Sequence, residues 1–486
     1  MNHEILRLLK PVRKRWLRPL EKYRISIEYE SATEITDRTI AVADAFGLGI
    51  DKARKFKVYD NFEVEIGPKD IVYITGDSGS GKSVLLKWLE KALKPNTINV
   101  ADIKPEPDKP LVEQIGKSLE EGLELLSRAG LNDAFLFVRR YRELSDGQKY
   151  RFKIAKMMES GKQYWIFDEF CSLLDRDTAK IVAYNVQKLA RKAGKAVLVA
   201  TTHTDLFEDL APSVHIHKRF GKEATVNYYP NAPAKECSLI REMRIEEGST
   251  EDWRRLARFH YRSHRLPSPR KIFKLVRGDE ICGVIVYSYP APVAYGRRKV
   301  LPKMSMKELN KKLSVISRVV IHPKYRSIGL GAKLVRETLP LADTPHVELI
   351  DVMAKYNPFF EKAGMQKICQ QPPAKQAQKI AETLAKLGFN IQLLGSKAYI
   401  LNKLKTLKKQ QINTIKRAFI KNPHPRILKQ FETNLPYGKK ENFKQKIKNT
   451  SLQKLADLIR ICGQLIQTKV YLFWTKHSYR SITFQH

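Results

Sequence analysis

Short apolar runs rich in β-branched residues alternate along the chain with segments in which apolar residues recur at helical spacing. The runs that predict strands are Asp70–Thr75, Tyr164–Glu169, Ser314–Pro323 and His346–Met353. Helical spacing follows the first run from Val84 to Glu90, and it recurs over Lys375–Lys409 and Asn442–Gln467. The pattern predicts an α/β fold followed by a mostly helical segment.

Two proline-containing segments divide this pattern. Asn227–Ala234 and Gln370–Pro373 have the composition of linkers, and they predict three parts: residues 1–235, 236–370 and 371–486. A chain of 486 residues also exceeds the size of one ordinary domain. Hydrophobic residues make up 43% of it, which is enough for packed cores and excludes a disordered protein.

The charge of the chain is strongly positive and uneven. The formal net charge is +38, and residues 366–486 carry 24 Lys and Arg against only 4 Asp and Glu. A single exposed lysine is most simply a solvated surface group. Positive charge at this density repels itself unless a polyanion neutralises it, so the basic tail predicts binding to DNA or RNA.

The cysteines and the apolar content bear on location. The five cysteines are scattered without a CxxC pair, which argues against a zinc site and is typical of a reducing compartment. The N-terminal residues lack the apolar core of a signal peptide, and no run approaches the roughly 18 apolar residues of a membrane helix. We therefore expect a soluble, cytoplasmic protein with no membrane partner.

A glycine-rich loop follows the first predicted strand and precedes a helix. Its residues are Gly76, Asp77, Ser78, Gly79, Ser80, Gly81, Lys82 and Ser83. In this context the backbone amides of such a loop surround phosphates, Lys82 reaches the β- and γ-oxygens, and the Ser83 hydroxyl binds Mg²⁺. The pattern predicts a site for ATP with Mg²⁺.

The second predicted strand ends in two carboxylates. Asp168 would complete the Mg²⁺ shell, and Glu169 would polarise the water that attacks the γ-phosphate. Apolar runs that end in Asp-Glu are common, but at this distance behind a phosphate loop the pair predicts the second half of an ATPase site.

Five motifs in order make the chain similar to the ABC ATPases. Leu144-Ser145-Asp146-Gly147-Gln148 resembles the signature of that family, with Asp146 in place of a glycine. Ser172–Asp175 resembles the D-loop, and His203 the switch histidine that senses the γ-phosphate. The resemblance also implies that Gln114 is the Q-loop glutamine at the metal, and that Ser145, Gly147 and Gln148 face ATP.

The same resemblance implies an assembly. In that family the signature of one subunit closes over ATP held by another, so we expect an ATP-dependent homodimer with two ATP molecules at its interface. The phosphate loop and the signature are only about sixty residues apart, which implies a trimmed helical arm. Phe56 and Tyr59 are the candidates for the aromatic residue that stacks on adenine.

A second glycine loop opens a helix in the middle part of the chain. Arg326-x-x-Gly329-x-Gly331, with the strands around it and Asn357–Met365 behind it, is similar to the GNAT acetyltransferases. The resemblance implies a GNAT fold over residues 236–370 that binds acetyl-CoA or another acyl-CoA. The implied contacts are Val320, Ile321, Arg326, Ser327, Ile328, Gly329, Leu330, Gly331 and Ala332.

The catalytic groups of an acyltransferase are less well marked. The base candidates are Glu348, Asp351 and His322, and for each of them a structural or surface role is an equal alternative. Many GNAT members protonate the leaving thiolate with a tyrosine where this chain has Phe360. Tyr356 is the candidate substitute, and the alternative is that the acid is dispensable.

The predicted substrate follows from the two resemblances taken together, that to the ABC ATPases and that to the GNAT acetyltransferases. A faint resemblance to the phage Mom proteins, GNAT relatives that modify adenine in DNA, lies in His260-Tyr261, Gly283–Tyr289 and Asp351. The Arg318–Gly331 segment equally resembles the acetyltransferase module of the tRNA cytidine acetylase. We therefore predict an ATPase coupled to an N-acyltransferase that modifies a base in DNA or RNA. Alternatives are an ATP-regulated protein or small-amine acetyltransferase, and a non-catalytic ABC scaffold in DNA repair or translation.

Overall fold

The computed structural model describes most of the chain. The described residues are 3–8, 21–31, 34–49, 54–131, 134–260, 266–352, 354, 358–431 and 442–476. They form two compact units: Met1–Leu266, Ile272–Ile285 and Arg318–Leu334 in the first, and Pro267–Lys271, Val286–Ser317 and Val335–His486 in the second. No helix among the described residues has both the length and the apolar surface to cross a bilayer.

A three-stranded antiparallel sheet comes first, with the order β1-β2-β3. Its elements are β1 (His3–Leu8), β2 (Glu21–Ser31), α1 (Asp37–Phe46) and β3 (Arg54–Ile66). Every second residue of β2 from Tyr23 to Ile27 is buried, as alternation predicts for a sheet with one covered face. Helix α1 begins at the Thr36 cap and ends at Gly47, whose φ is +64°.

The six-stranded sheet forms the centre of the first unit, with the order β5-β6-β7-β4-β8-β9. Its strands are β4 (Ile71–Gly76), β5 (Thr97–Asn99), β6 (Tyr164–Phe167), β7 (Ala196–Ala200), β8 (Val214–Lys218) and β9 (Ala224–Tyr228). All of its strand pairs are parallel except β8–β9. All six residues of β4 are buried, which is the pattern of a central parallel strand.

Helices connect these strands. They are α2 (Lys82–Leu93), α3 (Leu119–Arg128), α4 (Ala134–Phe137), α5 (Asp146–Glu159), α6 (Arg176–Ala193) and α7 (Phe207–Leu210). The strand, loop and helix predicted around residues 70–90 are confirmed as β4, the glycine loop and α2.

A seven-stranded sheet follows, with the order β10-β11-β12-β13-β14-β16-β15. Its strands are β10 (Met243–Glu247), β11 (Pro269–Arg277), β12 (Glu280–Ser288), β13 (Leu313–Ile321), β14 (His346–Asp351), β15 (Gln366–Gln371) and β16 (Lys469–Thr475). Helices α8 (Thr250–Ala257), α9 (Met306–Lys312), α10 (Leu330–Thr338) and α11 (Phe359–Lys362) accompany it. Strands β13 and β14 are parallel, from Leu313–His346 to Val315–Glu348, and α10 connects them.

Among the described residues between β15 and β16 there are six helices: α12 (Lys375–Lys386), α13 (Lys397–Lys405), α14 (Lys409–Lys421), α15 (Pro425–Leu428), α16 (Phe443–Lys448) and α17 (Leu452–Leu465). They share an apolar core that includes Ile380, Ile400, Phe419 and Ile459. The helical spacing predicted for this region is confirmed over both segments.

The predicted boundary between residues 370 and 371 does not separate two folding units. Strand β16 lies between β14 and β15 and pairs with both of them in antiparallel register, Glu348 opposite Phe473 and Gln366 opposite Phe473. A middle part that ended at residue 370 would lack this strand. The buried apolar residues Val470–Leu472 have the pattern of a strand, but the basic composition of the surrounding sequence obscures that pattern.

A buried ion pair links these strands within the second unit. Arg297 donates two hydrogen bonds to the Glu348 carboxylate, at 2.9 and 2.6 Å, and the Tyr471 hydroxyl donates a third at 2.9 Å. The side chains of Arg297 and Glu348 are 7% and 3% exposed. Burial, with the Glu348 charge acting next, raises the pKa of Tyr471 far above its usual value.

We predict that Arg297→Met lowers the free energy of unfolding by about 3–5 kcal/mol, because it leaves the Glu348 charge buried without its partner. Urea denaturation followed by circular dichroism measures the change. The control variant Tyr471→Phe removes one hydrogen bond and is expected to cost about 1 kcal/mol. Equal, small losses for the two variants would show that Glu348 does not depend on Arg297.

Candidate functional site

The glycine loop lies between the end of β4 and the start of α2. Gly76 has a φ of +143°, and a Cβ there would come within 2.0 Å of the Lys218 carbonyl oxygen. Gly81 has a φ of +103°, and a Cβ there would lie 2.4 Å from Val58 Cγ1. Only glycine fits either position, so the loop packs tightly against β3 and β8. The α2 N-terminus adds a partial positive charge that favours phosphate.

Lys82 extends back along this loop. Its ammonium group donates to the carbonyl oxygens of Gly76 at 2.8 Å and Asp77 at 2.5 Å, and the residue is 8% exposed. Burial lowers the pKa of Lys82, whereas Asp77 and Asp168 raise it. The cation therefore lies within the loop that the phosphates of a nucleotide would enter.

Ser83 and Asp168 are brought together as the sequence predicts. The Ser83 hydroxyl donates to Asp168 Oδ1 at 2.8 Å, although the two residues lie 85 positions apart. They meet because β4 and β6 are parallel strands of one sheet, whose carboxyl ends lie at the same edge. A hydroxyl and a carboxylate at this distance are oxygen ligands of the kind that Mg²⁺ prefers.

Glu169 is exposed beside this pair, in an uncommon backbone conformation. Its φ is +49° and that of Cys171 is +60°, while Phe170 between them is fully buried. Left-handed conformations are costly for residues other than glycine, and they occur at functional sites where the surrounding fold holds them. The turn anchors Phe170 in the core and leaves the Glu169 carboxylate facing solvent.

His203 follows β7 at the same edge of the sheet. The Tyr73 hydroxyl donates to its carbonyl oxygen, and its own amide donates to Thr201 Oγ1 at 3.2 Å. Burial, followed by the charge of Arg176, lowers the pKa of His203. The ring is therefore neutral near pH 7, and its buried Nε2 has no hydrogen-bond partner among the described residues.

The signature residues begin α5. Ser145 caps the helix by accepting from the Gln148 amide at 3.4 Å, and Gln148 Oε1 accepts from the Ser145 amide at 3.1 Å. Gly147 is close to the start of α6, since a Cβ there would lie 3.2 Å from Thr178 Cγ2. Asp146, the departure from the family pattern, points into solvent with a side chain 75% exposed.

The side-chain hydrogen bonds of Gln114 do not involve Ser83 or Asp168. Its amide group donates to the carbonyl oxygens of Glu106 at 3.0 Å and Lys109 at 2.8 Å, and its oxygen accepts from the Glu106 amide at 2.8 Å. These bonds hold the side chain in the 106–109 loop, beside a cavity of about 660 Å³. Its role at the metal stays a prediction that this conformation does not support.

The two adenine candidates differ in accessibility. Tyr59 is 1% exposed, and its hydroxyl donates to the Gly81 carbonyl at 3.1 Å, so it supports the phosphate loop from below. Phe56 is 53% exposed and remains the candidate. Sequence reasoning missed Lys218, a fully buried lysine whose ammonium lies 5.0 Å from the Tyr59 ring centroid. A strand-terminal lysine carries no sequence signal for such burial.

The second glycine loop lies between β13 and α10. The Arg326 guanidinium donates to the Ile321 carbonyl at 3.0 Å. Gly329 has a φ of +93° with no atom within 4 Å of the position of a Cβ, so the backbone there is open to approach. The side chains of Val320, Ile328 and Leu330 are buried, and only their backbone could contact a ligand.

The acid and base candidates have different surroundings. Glu348 is buried with both oxygens engaged by Arg297, which favours its structural alternative. Asp351 accepts from the Ala354 amide at 3.0 Å and is partly exposed. Burial lowers the pKa of His322, whose ring accepts from the Lys324 amide at 3.4 Å. Tyr356 lies outside the described residues, and Phe360 is buried.

The chain is similar in sequence to ATP-binding proteins of bacteria. The cytochrome c biogenesis ATP-binding export protein CcmA of Gluconobacter oxydans is 30% identical over 166 residues, which are 31% of this chain and 75% of that protein. The alpha-hemolysin translocation ATP-binding protein HlyB of Escherichia coli O157:H7 is 28% identical over 170 residues, 28% of this chain and 24% of that protein. The chain thus spans about a quarter of HlyB and three quarters of CcmA. No family model matches the chain.

Solved structures give weaker similarities. The ADP conformation of MJ1267, an ATP-binding cassette of an ABC transporter, has a TM-score of 0.31 and 16% identity over 36% of this chain and 86% of its own. The dimeric post-hydrolysis structure of the ATP-binding cassette MJ0796 bound to ADP and Pi has a TM-score of 0.31 and 18% identity, over 41% of this chain and 95% of its own.

Proposed function

Since the chain belongs to the family of ATP-binding cassette proteins, we propose that its first 235 residues bind ATP with Mg²⁺ and hydrolyse it. The hydrogen bond of 2.8 Å between Ser83 and Asp168 is the observation that carries the proposal. It joins the phosphate loop to the end of β6, and it provides two oxygen ligands for a magnesium ion.

The residues divide the chemistry between them. Lys82 and the loop amides bind the phosphates, and Ser83 and Asp168 would hold Mg²⁺, which neutralises charge on the phosphate oxygens. Glu169 orients a water molecule for attack on the γ-phosphorus, and the bond to the β–γ bridging oxygen breaks to give ADP and phosphate. His203, whose ring Nε2 has no hydrogen-bond partner among the described residues, is the proposed ligand of the γ-phosphate or of this water.

The signature residues support a homodimer as the active form. Ser145 and Gly147 lie at the N-terminus of the 14-residue helix α5, which favours an anion near them. A helix end of this kind on one copy would complete the phosphate site of the other, with a two-fold axis between the copies.

We predict that Glu169→Gln traps an ATP-bound dimer, because phosphate and Mg²⁺ binding remain while the attacking water is no longer oriented. Light scattering with and without ATP measures the mass. The matched control, Lys82→Ala in the Glu169→Gln background, is expected to stay monomeric. A Glu169→Gln variant that is monomeric with saturating ATP would contradict the dimer model.

We also propose that the remainder of the chain carries an N-acyltransferase that takes its acyl group from acyl-CoA. The support is the succession of parallel strands β13 and β14 with a glycine loop at the start of the connecting helix α10. Backbone at Gly329 is open, and a loop that begins a helix favours the pyrophosphate of coenzyme A. Proposed acid and base groups are Asp351, His322 and Tyr356, with Glu348 the weakest candidate because of its ion pair with Arg297.

We predict that acetyl-CoA binds the full chain and that Gly329→Val abolishes binding, because a side chain at a φ of +93° strains the loop and blocks the approach of phosphate. Calorimetry in saturating ADP measures binding apart from the ATP site. Gly278→Val is the matched control, since Gly278 also has a positive φ, +55°, and open space around it. Absence of heat with the wild-type chain would refute an acyl-CoA site.

The basic helical segment is the proposed contact with DNA or RNA, whose bases offer an exocyclic amine to acylate. Lys409, Arg417 and Lys421 are exposed on α14 at spacings of eight and four positions, so they follow one i+4 row of that helix. A row of cations of this kind can follow a phosphate backbone without reading its sequence.

We predict that replacing Lys409, Arg417 and Lys421 together by Gln weakens nucleic-acid binding and flattens its salt dependence by roughly 3 units of slope, through loss of counterion release. Fluorescence anisotropy with labelled duplex and single-stranded oligonucleotides at several salt concentrations tests this. The control replaces Lys87, Lys91 and Lys94, an exposed row on and next to α2, by Gln. Equal effects of the two sets would mean that only the net charge of the chain matters.

A further inference from the structure

The first turn of α6 packs against the signature residues at the start of α5. Asp175 caps the helix: its carboxylate accepts from the Thr178 amide at 3.1 Å and from the Thr178 hydroxyl at 2.6 Å. The methyl group of the same threonine lies 3.2 Å from the position of a Cβ on the signature residue Gly147. Any displacement of this turn therefore reaches both the D-loop-like residues and the signature.

Two basic side chains from the part of the chain after residue 236 bind the same turn of α6. The Asp177 carboxylate accepts from Arg277 at 2.7 Å and from Lys324 at 2.6 Å. The three side chains are between 20% and 30% exposed, so solvent screens these contacts less than it screens a surface pair. Burial raises the pKa of Asp177, but Lys324 and Arg277 outweigh it and lower the pKa overall.

Both cations are themselves fixed in place. Arg277 ends β11 and donates to Glu242 at 2.6 Å. Lys324 precedes the second glycine loop, where Ser327 has the left-handed φ of +76°. Ser327 is bound to α6 as well, since Asn185 donates to its hydroxyl at 2.7 Å and Lys188 donates to its carbonyl oxygen at 2.9 Å. The loop and α6 thus form one hydrogen-bonded assembly within the first unit.

We propose that Arg277 and Lys324 are positioning residues for ATP hydrolysis, which hold the first turn of α6 so that Asp175 and the signature meet the nucleotide of the second copy. This inference rests on the proposed function of the ATPase dimer. Neither residue touches the nucleotide of its own copy, which Lys82 and Ser83 bind. Their removal therefore affects turnover, and it leaves the binding of ATP to the separate subunit unchanged.

If the turn is held in this way, the same contacts also couple the second glycine loop to the ATPase. Coupling between two sites is reciprocal in free energy. A ligand that moves Lys324 or Ser327 would shift the first turn of α6, and closure of the ATP-bound dimer would shift the loop in return. The segment after residue 236 thus acts as a part of the ATPase whatever reaction it carries out itself.

The test measures ATP hydrolysis by Lys324→Met, Arg277→Met and the double variant in the full chain. We expect kcat to fall at least about five-fold in the double variant, with the dissociation constant of a fluorescent ATP analogue unchanged for the monomer. Lys324→Arg keeps the charge next to Asp177, and it is expected to restore most of the activity. Lys397→Met is the matched control, because it removes an ion pair of similar length, 2.9 Å to Asp457, far along the chain.

Several outcomes overturn the inference. A folded double variant with wild-type kcat would do so, and so would a variant that loses activity only as much as Lys397→Met does. If the double variant melts at a lower temperature, its kcat is compared with that of the wild-type chain at a temperature where both are folded, and equal values there overturn the inference. A wild-type chain without ATPase activity would instead refute the proposed function itself.

Discussion

The nucleotide site depends on a steric constraint at the junction of β4 and α2. At Gly76 the backbone passes so close to the Lys218 carbonyl that no side chain fits, and at Gly81 a Cβ would lie only 2.4 Å from Val58. Tyr59 fills the space beneath the loop and binds its last carbonyl group. Because β3, β8 and the loop are fixed to one another in this way, Lys82 and Ser83 enter the first turn of α2 at defined positions, and Asp168 meets the serine from the neighbouring part of the sheet.

The sequence was sufficient to predict that Ser83 and Asp168 meet at one edge of the sheet, because the motifs involved are local. A glycine loop, a strand that ends in Asp-Glu and a capped signature helix each need only a few consecutive residues, and the parallel sheet brings their ends to one edge. Contacts between residues far apart in the chain have no comparable pattern in the sequence. The burial of Tyr59 and Lys218 depends on which strands are neighbours, and the hydrogen bonds of Gln114 depend on the path of the 106–109 loop.

After residue 236, contacts between distant parts of the sequence were even harder to predict. Sequence spacing predicted the strands around the second glycine loop and the helices of the basic segment, but it could not predict that β16 pairs with β14 and β15. It likewise gave Glu348 as a base candidate without any sign of Arg297, which lies 51 residues earlier and engages both of its oxygens. The contact between Asp177 and Lys324 spans 147 residues and was equally invisible.

The position of β16 has a consequence for the order of folding during synthesis. Strand β15 ends at Gln371 and β16 begins at Lys469, so 97 residues separate two adjacent strands. The helices between them share one apolar core, and α17, which contributes much of that core, ends at Leu465, directly before β16. Until this last part of the segment has been made, one edge of β14 and the edge of β15 that pairs with β16 remain unpaired. Until β16 is synthesised, these unpaired edges are open to pairing with wrong strands and to binding by chaperones.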